Sequence, residues 1–202
     1  MPSERKRRLY ACGCCRRIWD RLSPTCRQAV IAAEEYADGR AGVATLAVVR
    51  EVCQQEEQRG ALIPILTPGP GGSRYYQLTE QVHRVAAPAF TSTDVLIVVH
   101  DLRPWRGQSM ENDAADAAHQ RLFEDMFGRA ERPVGSDPRW RTPAVSEAAW
   151  AIYFQRAFDR LPELADELAG AGCHDPDVLA HLRGGGEHVR GCWALDWVLG
   201  LG

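Results

Sequence analysis

Three times in this chain a helix-capping side chain followed directly by proline opens a stretch with helical apolar spacing: Ser23-Pro24, Thr142-Pro143 and Asp175-Pro176. A Ser, Thr or Asp side chain accepts the orphan amides of a first helical turn, and proline at the first helical position gives up an amide that has no partner there. Each dipeptide therefore marks a helix start. Apolar residues around them recur at spacings of three and four: Leu9, Cys12 and Trp19 beside Tyr10, Cys14 and Ile18, then Ala29, Val30, Ala33 and Tyr36. Leu46, Val49 and Cys53 repeat the pattern, as do Ala115, Ala118, Leu122 and Met126.

These stripes predict helices from Arg5 to Trp19, from Pro24 to Asp38-Gly39, from Ala41 to Gln58, from Glu111 to Phe127 and from Thr142 to Phe158. Leu161 to Leu168, a helix opened by Asp175-Pro176-Asp177 and a last one from Val189 to Leu199 complete the C-terminal series. The first is expected to be amphipathic, with arginines on the face opposite a cysteine-containing stripe. Between Gly60 and Arg74 prolines and glycines forbid a continuous helix, and a short helix is expected from Tyr75 to Ala86. The β-branched run Thr93 to His100 has no second strand to pair with and is read as helix. The expected fold is all-α, a bundle or short solenoid-like array of nine to ten short helices. Residues 1–60 form a helical hairpin plus a third helix, 61–108 a loop-rich insertion, and 109–202 a helical region packing on the N-terminal helices in one compact domain.

With 202 residues, 45% hydrophobic and 25% charged, the chain can bury a core, which excludes a disordered or collagenous protein. No apolar run reaches the roughly 18 residues that span a bilayer, and the charged N-terminus lacks the apolar core of a signal peptide. A cytoplasmic protein without a membrane partner is expected. Seven cysteines, an odd number without an export signal, point to reduced thiols. The net charge of −3 conceals a split: residues 1–27 carry +6 and the remainder −9. Arg5, Lys6, Arg7, Arg8, Arg16 and Arg17 therefore form a candidate surface for an acidic partner, a protein first and a nucleic acid second. Lys6 is the single lysine among 24 cationic residues, a bias that by itself argues nothing about phosphate.

One cluster offers metal chemistry. Cys12 and Cys15 form a C-x-x-C pair on one side of a helix, and His188 and Cys192 lie four apart near a helix start. Together they supply the four nitrogen and sulfur ligands of a structural zinc, with Cys173 and His181 as substitutes. The competing reading is buried thiols without a cofactor, since free cysteine is among the most buried residue types. A second chemistry is thiol catalysis, with Cys192 or Cys173 as nucleophile and His188, His174 or His181 as base, but no orienting acid or oxyanion loop beyond Asp196 accompanies them. The Gly184-Gly185-Gly186 run before His188 lacks the Lys-Ser/Thr of a phosphate loop. Trp193 and Trp197, four apart, belong to a core or a partner groove.

The stretch Arg8-Leu9-Tyr10-Ala11-Cys12-Gly13-Cys14-Cys15-Arg16-Arg17-Ile18-Trp19, with Ala33-Glu34-Glu35-Tyr36-Ala37-Asp38-Gly39, resembles the start of a bacterial protein family plentiful in planctomycetes. Phe127-Gly128, Arg132-Pro133-Val134, Ala157-Phe158-Asp159-Arg160-Leu161-Pro162, Leu164-Ala165-Asp166, Ala171-Gly172-Cys173 and His188-Val189-Arg190-Gly191-Cys192-Trp193 resemble its C-terminal part. The resemblance covers roughly residues 7–40 and 122–200 and implies no activity, since no function is established for that family. Relatives are Ala-rich in the middle and carry a cysteine at the position of Leu182. The expected function is a non-enzymatic helical binding or adaptor module that engages a macromolecule through its basic N-terminal helix, with no catalytic residue assigned. The alternatives are a Cys/His-dependent enzyme or zinc hydrolase near His188 and Cys192, and a nucleic-acid-binding accessory protein.

Overall fold

The computed structural model describes residues 2–61, 84–87, 109–128 and 137–201. The Pro-Gly stretch of 62–74, nearly all of the helix expected over 75–86 and the β-branched run of 93–100 lie outside the described residues. Among the described residues the chain is all-helical, with eight α-helices and no strand. No described helix is long and apolar enough to cross a membrane. The chain divides into two compact units, Met1–His119 and Gln120–Gly202.

In the first unit, α1 spans Glu4–Arg16, α2 Pro24–Ala37 and α3 Val43–Ala61. Ser3 and Ser23 cap α1 and α2, accepting the amides of Lys6 and Cys26, as the Ser-Pro signal predicts for α2. α2 packs against both α1 and α3. The expected amphipathic α1 is corrected here: every residue from Arg8 to Cys15 is buried. Ala11, Gly13 and three cysteines are small enough for neighbours to close around the whole circumference. The helix also ends at Arg16 rather than Trp19, and a 3-10 turn, Trp19–Arg21, follows. That turn lets the Arg16 guanidinium stack 3.9 Å over the Trp19 ring while it forks onto both oxygens of Glu34 at 3.0 and 2.7 Å.

In the second unit, the last turns of α4 (Ser109–Phe127) join α5 (Pro143–Gln155), α6 (Leu161–Gly170), α7 (Pro176–Arg183) and α8 (Trp193–Leu199). Thr142 accepts the Val145 amide, and Asp175 accepts those of Asp177 and Val178, so both remaining cap-proline signals act as the sequence predicts. α5 packs on α6 and α8, α6 on α7, and α7 on α8. Ile152, Tyr153, Leu161, Leu164, Leu168, Leu182 and Leu195 fill the core between them. Two helix ends differ from expectation. α5 stops at Gln155 because Arg156 turns left-handed at φ 57°. The last helix starts at Trp193 rather than Val189, because Gly191 adopts φ 88° and breaks the chain direction just before it.

Candidate metal centre

Asp125 lies in the last turn of α4, between Leu122 and Met126 on the buried stripe. His181 is in the last turn of α7, His188 sits in the loop that follows, and Cys192 is the residue from which α8 begins. Their ligand atoms all lie within 4.8 Å of one another, the single such group of three or more His, Cys, Asp or Glu side chains among the described residues. His181 Nε2 is 3.1 Å from Asp125 Oδ1 and 3.2 Å from Cys192 Sγ. His188 Nδ1 is 2.6 Å from Asp125 Oδ1 and 3.9 Å from Cys192 Sγ.

Each histidine thus turns one and the same nitrogen towards both the acid and the thiol. A relay of the Asp-His-Cys kind needs the opposite, one ring nitrogen for the acid and the other for the nucleophile. Convergence of all four donors on one point is the arrangement a cation requires. Around tetrahedral zinc, with bonds of about 2.0 Å to N or O and 2.3 Å to S, the donor-to-donor edges are about 3.3–3.6 Å. The 3.1, 3.2 and 3.9 Å edges bracket that range, and the remaining donor pairs, all within 4.8 Å, close to it when an ion binds. The 2.6 Å His188–Asp125 edge is a hydrogen bond, and it opens by about 0.7 Å when an ion takes the place of its proton.

The atoms facing away from the centre are also held. His188 Nε2 donates to the Gly184 carbonyl at 3.2 Å, which leaves the Nδ1 lone pair for a metal. Asp125 Oδ2 accepts the Val189 amide at 3.0 Å, an amide freed because the chain is not helical there. Cys192 is fully buried at the start of α8. The His181 ring lies 5.1 Å from that of His188 and 4.9 Å from that of Trp193. Trp193 in turn covers Gly128, where φ is 65° and an added Cβ would meet the indole at 3.4 Å, so the chain turns away from Asp125 through a residue with no side chain.

The electrostatics follow from burial and charge. Burial works against ionisation of Asp125, but hydrogen bonds from His181 and His188, the His188 charge and the Val189 amide outweigh it, and the carboxyl lies below its usual range. Burial likewise works against charge on His188, and Asp125 reverses this and raises it. Burial, then the Asp125 charge, pushes the Cys192 thiol well up. A fully buried thiol of that kind is a poor free nucleophile, whereas a bound cation reverses the sign and deprotonates it.

Of the metal ligands expected from sequence, His188 and Cys192 are in this group and His181, the substitute, joins them. Cys12 and Cys15 are buried in the first unit, where the Cys12 thiol faces the Val30 carbonyl at 4.0 Å. Cys173 is a core residue of the second unit. Asp125 is not among the ligands the spacing predicts, although a carboxylate at the i+3 position between Leu122 and Met126 is a charge written into an apolar stripe. Among the basic residues, Arg8 is fully buried and donates to the Val85 and Ala87 carbonyls at 2.6 and 2.7 Å and to Glu4. Arg5 pairs with Asp38 at 3.0 Å, Arg16 with Glu34, and Arg7 donates to the Pro2 carbonyl at 2.7 Å, so at least four of the six candidate partner residues are matched within the unit. Lys6, Arg7 and Arg17 are half-buried. No protein-family model, no curated protein and no solved structure matches the chain.

Proposed function

We propose that the chain is a non-enzymatic, helical binding module whose C-terminal unit is organised around one zinc ion held by Asp125, His181, His188 and Cys192. The observation that carries this reading is the convergence of four donors from α4, α7, the loop after α7 and the start of α8 on one point. Borderline-soft nitrogen and sulfur donors with a single carboxylate suit zinc and disfavour magnesium or calcium, which demand oxygen. With His181 in place the four protein ligands leave no position for water, the resting arrangement of a structural site, which is why a binding module is preferred to a hydrolase. In that role the ion fastens the ends of α4 and α7 to the start of α8, and the helices α5–α8 form a short bundle-like array that presents a surface to a protein partner.

The test is elemental analysis of protein purified without an affinity-metal step. One equivalent of zinc in the wild type, lost in Asp125→Asn and Cys192→Ser, is the expected result. Zinc retained by both variants, or none in the wild type after reconstitution, would overturn the reading.

A further inference from the structure

The four ligands are not held alike. Asp125 is fixed through Val189 and His188 through Gly184, and Cys192 is fully buried at the start of α8. His181 alone has neither a latch nor full burial: both of its polar contacts are made by Nε2, towards the centre, and among the described residues nothing hydrogen-bonds its Nδ1. It is also the ligand nearest to solvent, its side chain 20% exposed against 6% for His188 and 4% for Asp125. Its ring is kept in place by the faces of Trp193 and His188. A first-row cation bound here therefore sits on a fixed Asp125-His188-Cys192 tripod with one ligand free to leave towards the surface.

We infer that His181 is an exchangeable ligand, and that the centre accepts in its place a small monodentate nitrogen donor, either an anion of the size of azide or an imidazole. The inference rests on the metal-centre reading above and adds to it a ligand-binding function. In the exchange the bond from the ion to His181 Nε2 breaks and one to the incoming nitrogen forms. No electron is transferred, and the released imidazole takes up solvent or a proton at Nε2. Three fixed protein ligands and one replaceable position is the pattern that lets a zinc site meet an external molecule.

Cobalt(II) makes the exchange visible, because its visible absorption reports coordination number and a sulfur-to-cobalt charge-transfer band reports Cys192. The wild-type protein loaded with cobalt should show both, and titration with azide should change the visible bands saturably while the charge-transfer band stays. His181→Ala should still take up cobalt, should bind azide about tenfold or more tightly because the internal competitor is gone, and should regain a wild-type-like spectrum with added imidazole. His188→Ala, which removes a latched ligand, should lose cobalt binding under the same conditions. A wild-type spectrum indifferent to azide, or cobalt loss in His181→Ala as complete as in His188→Ala, would overturn the inference and leave the metal centre standing. A wild-type protein that gives no sulfur-to-cobalt band would remove the metal centre and the inference together.

Discussion

The first unit buries its cysteines in one way and the second buries Cys192 in another. In the first, Cys12, Cys14, Cys15, Cys26 and Cys53 are all below 3% exposed and serve as small apolar residues. Cys12 and Cys53 face the carbonyls of Val30 and Thr25 at 4.0 and 3.9 Å, and Cys14 faces His119 Nδ1 at 3.8 Å. Burial, then the neighbouring Cys12, Cys14 and Cys26, push the Cys15 thiol well up, so a run of cysteines in one core discourages ionisation of its own members. In the second unit one cysteine, Cys192, meets two imidazoles and a carboxylate. The comparison teaches that cysteine spacing is a weaker sign of a metal than the charge state of what surrounds the sulfur. The C-x-x-C pair is packed in a core with three other cysteines, whereas Cys192 stands beside nitrogen and oxygen donors, the surroundings a ligand requires.

The largest effect expected from breaking this contrast is on the second unit. Chelation should lower its unfolding free energy by about 4 kcal/mol when the metal had been present at a thousandfold its Kd, and readdition should restore it. Denaturation followed by Trp fluorescence reads this directly, since Trp193 packs against His181. Asp125→Asn should come next, costing about 1–3 kcal/mol through the lost partner of two histidines and one amide, and abolishing the response to metal. Gly128→Val should cost about 1–2 kcal/mol, because a β-branched residue resists φ 65° and its side chain meets the Trp193 ring. Urea titration would show it, with a weaker zinc affinity alongside. Smallest of all, Cys12→Ala should lower the stability of the first unit by about 1 kcal/mol while metal stoichiometry stays unchanged. A loss of zinc in Cys12→Ala would erase the distinction between the two kinds of cysteine.

Much of the helical frame was legible because it is written locally. Ser23-Pro24, Thr142-Pro143 and Asp175-Pro176 each place a cap and a preset φ within two residues, and each opens a helix where expected. The ends of helices were less legible, since Arg156 and Gly191 stop or delay them by left-handed turns chosen by tertiary packing. α1 misled for a related reason. Its arginines suggested an outward face, but the charge of Arg8 is met inside the fold by two carbonyls and Glu4, and no periodicity records such partners. The centre was half legible. His188 and Cys192 are close in sequence, but Asp125 is more than sixty residues from His188. Only its place in an apolar stripe marks it.

X-ray absorption at the zinc edge of the reconstituted wild-type protein tests the central claim most directly. The account predicts one sulfur at about 2.3 Å and three nitrogen or oxygen neighbours at about 2.0 Å, with imidazole scattering beyond them. A shell of two or more sulfurs would place the ion on the cysteines of the first unit, and a shell of oxygen and nitrogen alone would remove Cys192 from the site. Either result would contradict the centre described here.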